Sequence, residues 1–310
     1  MVEKFDVLVL VTPADFQRVQ NNYPRLIRFI PLHRLIFIGN TEVGELVHKQ
    51  GWDPRITFLN EEELLPFQEV HKIVMELLER TDVPRGVTGW YYQQFLKMQY
   101  CYHCKDRYYM TWDGDTIPCK TFEMFQAGTG IPYFDLKQEC HGEYFVTMEE
   151  LLRLKKCIAK SFISEHMLFR CDIMQQMIGD IMRNEKIEGS TFYEKILRCI
   201  GKERLMNSSF SEFETYGTYT AMHYTGDYKL RRWHSFRYCG NFFDPDTITD
   251  EDYEWLAHDF DAVSFEKGCS VREDHKDIFT KKEYRDKLTA RQILEIAQEA
   301  FTEGYKEVWD

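Results

Sequence analysis

In the stretch YYMTWDGDTIPC, Tyr108 to Cys119, an apolar and aromatic run that reads as a buried strand ends on two carboxylates, Asp113 and Asp115, with one glycine between them. Burying one acid without a partner is costly, and burying two is worse, so something must offset that charge. Along an extended chain, side chains two residues apart point to the same side, roughly 6–7 Å from one another. One ion meets both carboxylates only if water bridges or the chain curls, and Gly114 permits the curl. Hard oxygen ligands suit Mg²⁺ or Mn²⁺, ions that keep positions open for water and substrate phosphates. The pattern by itself is weak. Asp244/Asp246, Asp250/Asp252 and Asp259/Asp261 repeat it in the acidic C-terminal region, where solvated faces and helix N-termini account for it. The competing reading of Asp113 and Asp115 is a pair of acids capping loops or the next helix.

Other residues invite a chemical reading. In GWYYQQFLKMQYC, Trp90, Gln93, Gln94 and Lys97 fall at i, i+3, i+4 and i+7 and share one helical face. A polar stripe with a cation, just before the carboxylate strand, looks into a site or is a solvated face. In SEFETYG, Glu212 and Glu214 follow Ser211 at a helix start. Acids there complement the helix dipole, and a carboxylate can also take a proton from a hydroxyl. Glu165 and His166 form a polar pair in an apolar setting, either ligand-facing or a satisfied core pair. His234 beside Trp233 is a lone histidine of the kind that is more often structural. Cys101 and Cys104 have zinc-knuckle spacing, but no second C-x-x-C follows. Neither a glycine-rich dinucleotide fingerprint nor a Walker sequence is present, which disfavours Rossmann oxidoreductases and P-loop enzymes.

Regular elements must hold these residues in place. FDVLVLVTP, RLIFIGN and RITFLN read as strands, separated by helical stretches including TEVGELVHKQG, with Thr41 as N-cap, and EVHKIVMELLER. That alternation implies βαβ units and a mostly parallel sheet, with ligands at the carboxyl ends of its strands. Further on, KTFEMF reads as a short helix, PYFDL and EYFV as strands, and TMEELLRLKKCIA as a helix with Thr147 and Glu150 in capping-box spacing. A soft boundary near residue 240 divides the chain into a main domain, 1–240, and a mostly helical C-terminal extension, 241–310, packed on it. The net charge of −12 argues against a nonspecific nucleic-acid binder and against broad docking to an anionic membrane. The N-terminal apolar run is too short for a signal peptide, no stretch reaches a membrane span, and nine scattered cysteines suit a reducing compartment. The expectation is a cytoplasmic protein.

The strand order, the helix GWYYQQFLKM and the strand end YMTWDGDTIP resemble the GT-A nucleotide-sugar glycosyltransferases. More narrowly, with FISEHMLF and FSEFETYGTY, they resemble a little-characterised bacterial family of surface-polysaccharide glycosyltransferases, over roughly Val7 to Phe243. The resemblance implies a GT-A-like (Rossmann-like) α/β fold. It implies transfer of a sugar from a nucleoside diphosphate sugar, UDP-linked by expectation, to a glycan or lipid-linked glycan acceptor, at the inner face of the membrane without a transmembrane segment. By it Asp113 and Asp115 bind Mn²⁺ or Mg²⁺ across the donor's phosphates, with His234 (or, second, His223) as a further ligand. Thr12, Pro13 and Asp15 approach the nucleotide, and Gln93, Gln94 and Lys97 contact the donor. Glu214, ahead of Glu212, is the expected base, and Glu165 and His166 the acceptor residues. Inversion and retention stay open. The alternatives are a nucleotidyltransferase using the same metal pair and a glycan-binding protein without turnover.

Overall fold

The computed structural model describes residues 4–138, 141–271, 273 and 279–296. In its first part β1 (Asp6–Leu10), α1 (Pro13–Val19), α2 (Pro24–Phe29), β2 (Leu35–Gly39), α3 (Thr41–Gln50) and β3 (Ile56–Asn60) alternate as expected. Every residue of β1 and β2 is buried, as strands covered on both faces must be. Thr12 caps α1 and Pro13 fixes its first turn; Asn40, not Thr41, caps α3, and Gly51 ends it at φ 60°. Then come α4 (Glu61–Leu64), α5 (Phe67–Leu78), α6 (Arg85–Gln99), β4 (Tyr108–Asp113), β5 (Thr116–Pro118) and β6 (Tyr133–Leu136). The chain continues through α7 (Gly142–Leu152), β7 (His166–Arg170), α8 (Cys171–Arg183), α9 (Phe192–Arg204), α10 (Glu212–His223), β8 (Lys229–Arg232), β9 (Ser235–Phe236), α11 (Asp250–Leu256) and β10 (Ala262–Ser264).

The central sheet runs β3-β2-β1-β4-β7. Its first four strands are parallel and β7 is antiparallel to β4, so the α/β class with a mostly parallel sheet holds. One core lies on each face. Leu8 and Leu10 join α5, α6, α8 and α9 on one side, while Val7, Val9 and Val11 join α1, α3 and the C-terminal region on the other. After β1 the chain crosses to β2 on one side and only later to β4 on the other. That reversal opens a crevice beyond the carboxyl ends of β1 and β4, where Leu10 and Asp113 are register partners.

Three local expectations fail. EYFV is not a strand but the first turns of α7, which ends at Arg153 with φ 57°. Thr147 is therefore no cap: it is buried mid-helix and donates to the Ser209 carbonyl at 2.6 Å. KTFEMF forms no helix. The segment beyond residue 240 also carries more than helices. Its β10 is the middle strand of a second sheet, β5-β10-β9, paired directly with the strand that follows Asp115.

Candidate active site

The Asp113–Gly114–Asp115 turn closes over the end of β1. A Cβ on Gly114 would lie 2.4 Å from Val11 Cγ1, so only glycine permits this approach. Tyr23 donates its hydroxyl to the Gly114 carbonyl at 2.8 Å, and the Asp113 amide donates to the Glu165 carbonyl at 2.8 Å. Phe265, just past β10, donates its amide to the Asp115 carbonyl at 2.8 Å. The turn is thus fixed by four separate parts of the chain.

In front of it lies a cavity of about 310 Å³, into which Asp113, Asp115, Lys97, Gln93, Gln94, Trp90 and Glu212 all face. The stripe expected on α6 is its wall. A second cavity of about 250 Å³ shares Leu10, Val11, Asp15 and Gln93 with the first, and Thr12, Gly86, Gly89 and Tyr92 also line it. Among the α6 residues that line the two cavities, 86, 89, 90, 93, 94 and 97 recur at the helical period. A Cβ on Gly86 or Gly89 would meet nothing within 4 Å. The fold does not require these glycines, which keep the helix backbone open to the second cavity.

The electrostatics are uneven. Lys97 Nζ, buried, is 2.8 Å from Glu212 Oε1 and 3.2 Å from Asp113 Oδ1. Burial works to lower the pKa of its ammonium, but the carboxylates of Asp113 and Glu212 outweigh burial and leave it raised. Arg18 is paired with Asp15 at 2.9 Å and Arg237 with Glu266 at 2.6 Å. Asp115 has no ion-pair partner among the described residues. Burial, then the nearby charges of Asp113 and Glu266, push its carboxyl up to about 7 against the pull of Arg18. A hard oxygen donor set whose Asp115 is left uncompensated, at the mouth of a cavity lined by four cations, fits a divalent ion. Asp113 and Asp115 are the residues that would hold it.

The other expected residues divide. Thr12 and Asp15 line the second cavity, while Pro13 serves only the helix start. Glu212 lines the first cavity, but Glu214 does not. Its Oε1 accepts from the Ser161 hydroxyl and from the Phe162 amide, which ties α10 to the loop before β7. Glu165 also lines the cavity, from a left-handed φ of 61°. Its carboxylate accepts from Lys137, from Trp233 Nε1 at 2.9 Å and from Ser235 Oγ at 3.0 Å. His166 faces away. It lies between the rings of Trp112 and Trp233 and contacts Asp135 Oδ2 at 2.9 Å. Burial presses the Asp135 carboxyl upward, but hydrogen bonds from Arg231 and His166 hold it below the usual range. His166 is thus a satisfied core residue. His234 is not at the carboxylate pair either: its backbone amide donates to Asp261, at the far end of β10 from Asp115. Four residue steps, Asp261 to Phe265, separate those ends, about 13 Å. His223 ends α10 and lines neither cavity.

The sequence reading missed Arg18, Arg237 and Lys267 around the first cavity, and Tyr144 in its wall. Arg18 carried a signal, since it lies one helical turn beyond Asp15. Arg237 and Lys267 carried none, because β9 and β10 bring them in from remote sequence. Among the described residues one other cluster has metal-ligand types: Asp6, His33 and Asp106, at the opposite end of β1. Asp6 there already accepts from Arg34 Nε at 3.0 Å, Arg34 Nη2 at 2.6 Å and Tyr100 Oη at 2.8 Å, so it is an ion-pair knot. No described helix is long and apolar enough to cross a membrane.

No curated protein matches the chain. Among solved structures it is similar to mouse xyloside xylosyltransferase 1, with 10% identity and a TM-score of 0.45, over 87% of this chain and 100% of that one. It is similar to the galactosyltransferase LgtC, solved with donor and acceptor sugar analogs, with 9% identity and a TM-score of 0.40, over 92% and 100%. A third likeness is to the mannosyltransferase Ktr4p from S. cerevisiae, with 10% identity and a TM-score of 0.41, over 74% and 68%. The model of a family of unknown function, DUF6492, matches residues 15–281, and with that match over most of its length the chain belongs to this family.

Proposed function

We propose that the protein is a metal-dependent glycosyltransferase that takes a sugar from a nucleoside diphosphate donor, UDP-linked by preference, to a glycan or lipid-linked glycan acceptor. One observation carries the reading: the crevice at the carboxyl ends of β1 and β4 joins an under-compensated aspartate pair, four cations and two buried glutamates around one cavity. Mn²⁺ or Mg²⁺ held by Asp113 and Asp115 would neutralise charge on the departing diphosphate. Arg18, Arg237 and Lys267 add cations for the phosphate oxygens. The nucleoside enters the second cavity, against the open backbone of Gly86 and Gly89 and beside Thr12 and Asp15.

Glu212 is the better placed base. It faces the cavity from the first turn of α10, and its amide donates to Gln94 Oε1 at 3.1 Å, which fixes its position on α6. As the acceptor oxygen bonds to the sugar carbon and the bond to the diphosphate breaks, Glu212 takes the hydroxyl proton. Lys97 sets the spacing between this carboxylate and Asp113 by pairing with both. The same pairing supports a second reading, in which Glu212 is only a counter-ion and the protein binds donor without turnover.

Single-turnover transfer or hydrolysis of a UDP-sugar panel with Mn²⁺ separates the two. The proposal expects turnover by wild type and a loss of about a hundredfold to ten-thousandfold in Glu212→Gln, with UDP binding intact. Turnover by no sugar despite tight UDP binding favours the second reading. Equal turnover in Glu212→Gln removes it as base and points to retention without a protein base.

A further inference from the structure

Among the described residues eight large hydrophobic side chains are exposed, and of these Trp90 lines one of the two cavities described above. It is 41% exposed, on the face of α6 that also presents Gln93, Gln94 and Lys97. The exposed part of the indole, at the mouth of a cavity, contributes no burial to the fold. It is the kind of apolar surface that marks a binding site.

The surroundings of Trp90 differ from those of Asp115. Around Asp115, Arg18 donates to the Phe265 carbonyl at 2.9 Å, and the next residue, Glu266, pairs with Arg237, so the cations gather there. Around Trp90 the wall is built from the start of α10: Gln94 is fixed to the Glu212 amide, and α7, which carries Tyr144, is fixed to Ser209 by Thr147. Both Trp90 and Tyr144 line the first cavity with Glu212. An open indole face beside a carboxylate and side-chain amides matches one ligand class; Tyr144 backs the wall, its ring buried and stacked on His141 at 4.6 Å. A pyranose ring offers an apolar C–H face to an indole and a rim of hydroxyls to polar groups.

Resting on the transferase reading, we infer that Trp90 is the platform on which a neutral pyranose ring of the acceptor lies, its reacting hydroxyl toward Glu212. This replaces Glu165 and His166 as the acceptor-recognising residues: Glu165 is held by Lys137, Trp233 and Ser235, and His166 is in the core.

The test is saturation-transfer NMR on the full chain with methyl β-D-glucopyranoside, methyl β-D-galactopyranoside and octyl β-D-glucopyranoside as probes. Alongside it, UDP binding with Mn²⁺ is measured by calorimetry. The inference expects saturation of pyranose ring protons on wild type for at least one methyl glycoside. It expects an affinity loss of about tenfold or more in Trp90→Ala, partial recovery in Trp90→Phe, and UDP affinity unchanged within about twofold. Met206→Ala, which removes an exposed side chain outside both cavities, should change neither. Equal glycoside binding by Trp90→Ala overturns the platform, as does the absence of methyl-glycoside binding to wild type. Saturation confined to the octyl chain overturns it in favour of a lipid slot. If UDP fails to bind wild type while glycoside binding still depends on Trp90, the donor reading fails and the platform stands.

Discussion

The two ends of β1 and β4 carry the same chemistry in opposite states. At one end Asp6 is fully buried, yet Arg34 grips both its oxygens and Tyr100 adds a third donor. At the other, Asp113 is still 35% exposed and shares one ammonium with Glu212, and Asp115 has no ion-pair partner among the described residues. Four strand residues, about 13 Å, separate the two. The difference teaches that a cluster of acids marks a site only when its counter-charge is incomplete and a cavity opens on it. The Asp6 knot is sealed by its own arginine, whereas the Asp113 turn leaves charge for something else to neutralise.

The sharpest break between the two ends is amide substitution. Asp113→Asn and Asp115→Asn should each weaken Mn²⁺-dependent UDP binding by more than about a hundredfold, since even changes outside a metal's ligand set cost about 10–100-fold. The urea midpoint of Asp115→Asn should not fall, since Asp115 has no ion-pair partner among the described residues. Asp6→Asn should do the reverse: about 3–5 kcal/mol of stability lost, as for breaking a buried pair, with UDP affinity of the folded protein unchanged. Calorimetry and urea melts on the three variants check it.

Removing the cations is next. Lys97→Met leaves Asp113 and Glu212 facing one another, at a cost of about 3–5 kcal/mol in metal-free protein. Mn²⁺ should recover much of that loss, because it replaces the missing positive charge. Arg34→Met should also destabilise, but Mn²⁺ should not restore it. Thermal melts with and without Mn²⁺ decide between these outcomes.

A gentler probe is pH. The Asp115 carboxyl is pushed up to about 7 in the folded chain, against about 3.9 when unfolded. Between those values the folded state holds a proton that the unfolded state has lost, so stability is greatest below about pH 4 and falls as pH rises toward 7. Asp115→Asn should flatten that part of the stability profile, and Mn²⁺ should stabilise wild type at pH 8 but not at pH 5. Melting curves across pH, in chelator and again with Mn²⁺, measure it.

The smallest effect concerns Gly89. Alanine there meets no atom within 4 Å, so it should stabilise α6 by about 0.5–1 kcal/mol. It should nevertheless weaken UDP binding severalfold by filling the second cavity. A variant that is more stable and binds UDP equally well would remove the nucleoside from that cavity.

Much of this was legible in the sequence where local pattern decides the outcome. Continuous apolar runs fixed the parallel strands, the i, i+3, i+4, i+7 spacing fixed the face of α6, and the abrupt Asp-Gly-Asp ending marked the turn. What escaped was set by distant contacts. Glu212 and Glu214 are both first-turn acids, and only the hydrogen bonds of Ser161 and Phe162 to Glu214 decide which of them faces the cavity. The resemblance puts His234 at the carboxylate pair, but the β5-β10-β9 sheet carries it to the other end. EYFV had strand-like residues, and packing of α7 on α9 and α10 overrode that propensity.

The most direct measurement is UDP binding to wild-type protein by calorimetry, in Mn²⁺ and again in excess chelator, repeated with Asp115→Asn. The account predicts binding of wild type in Mn²⁺ that collapses in chelator, and no Mn²⁺-dependent binding by the variant. Equal affinity in all of these conditions would contradict it, because the under-compensated aspartate pair would then have no part in holding the diphosphate.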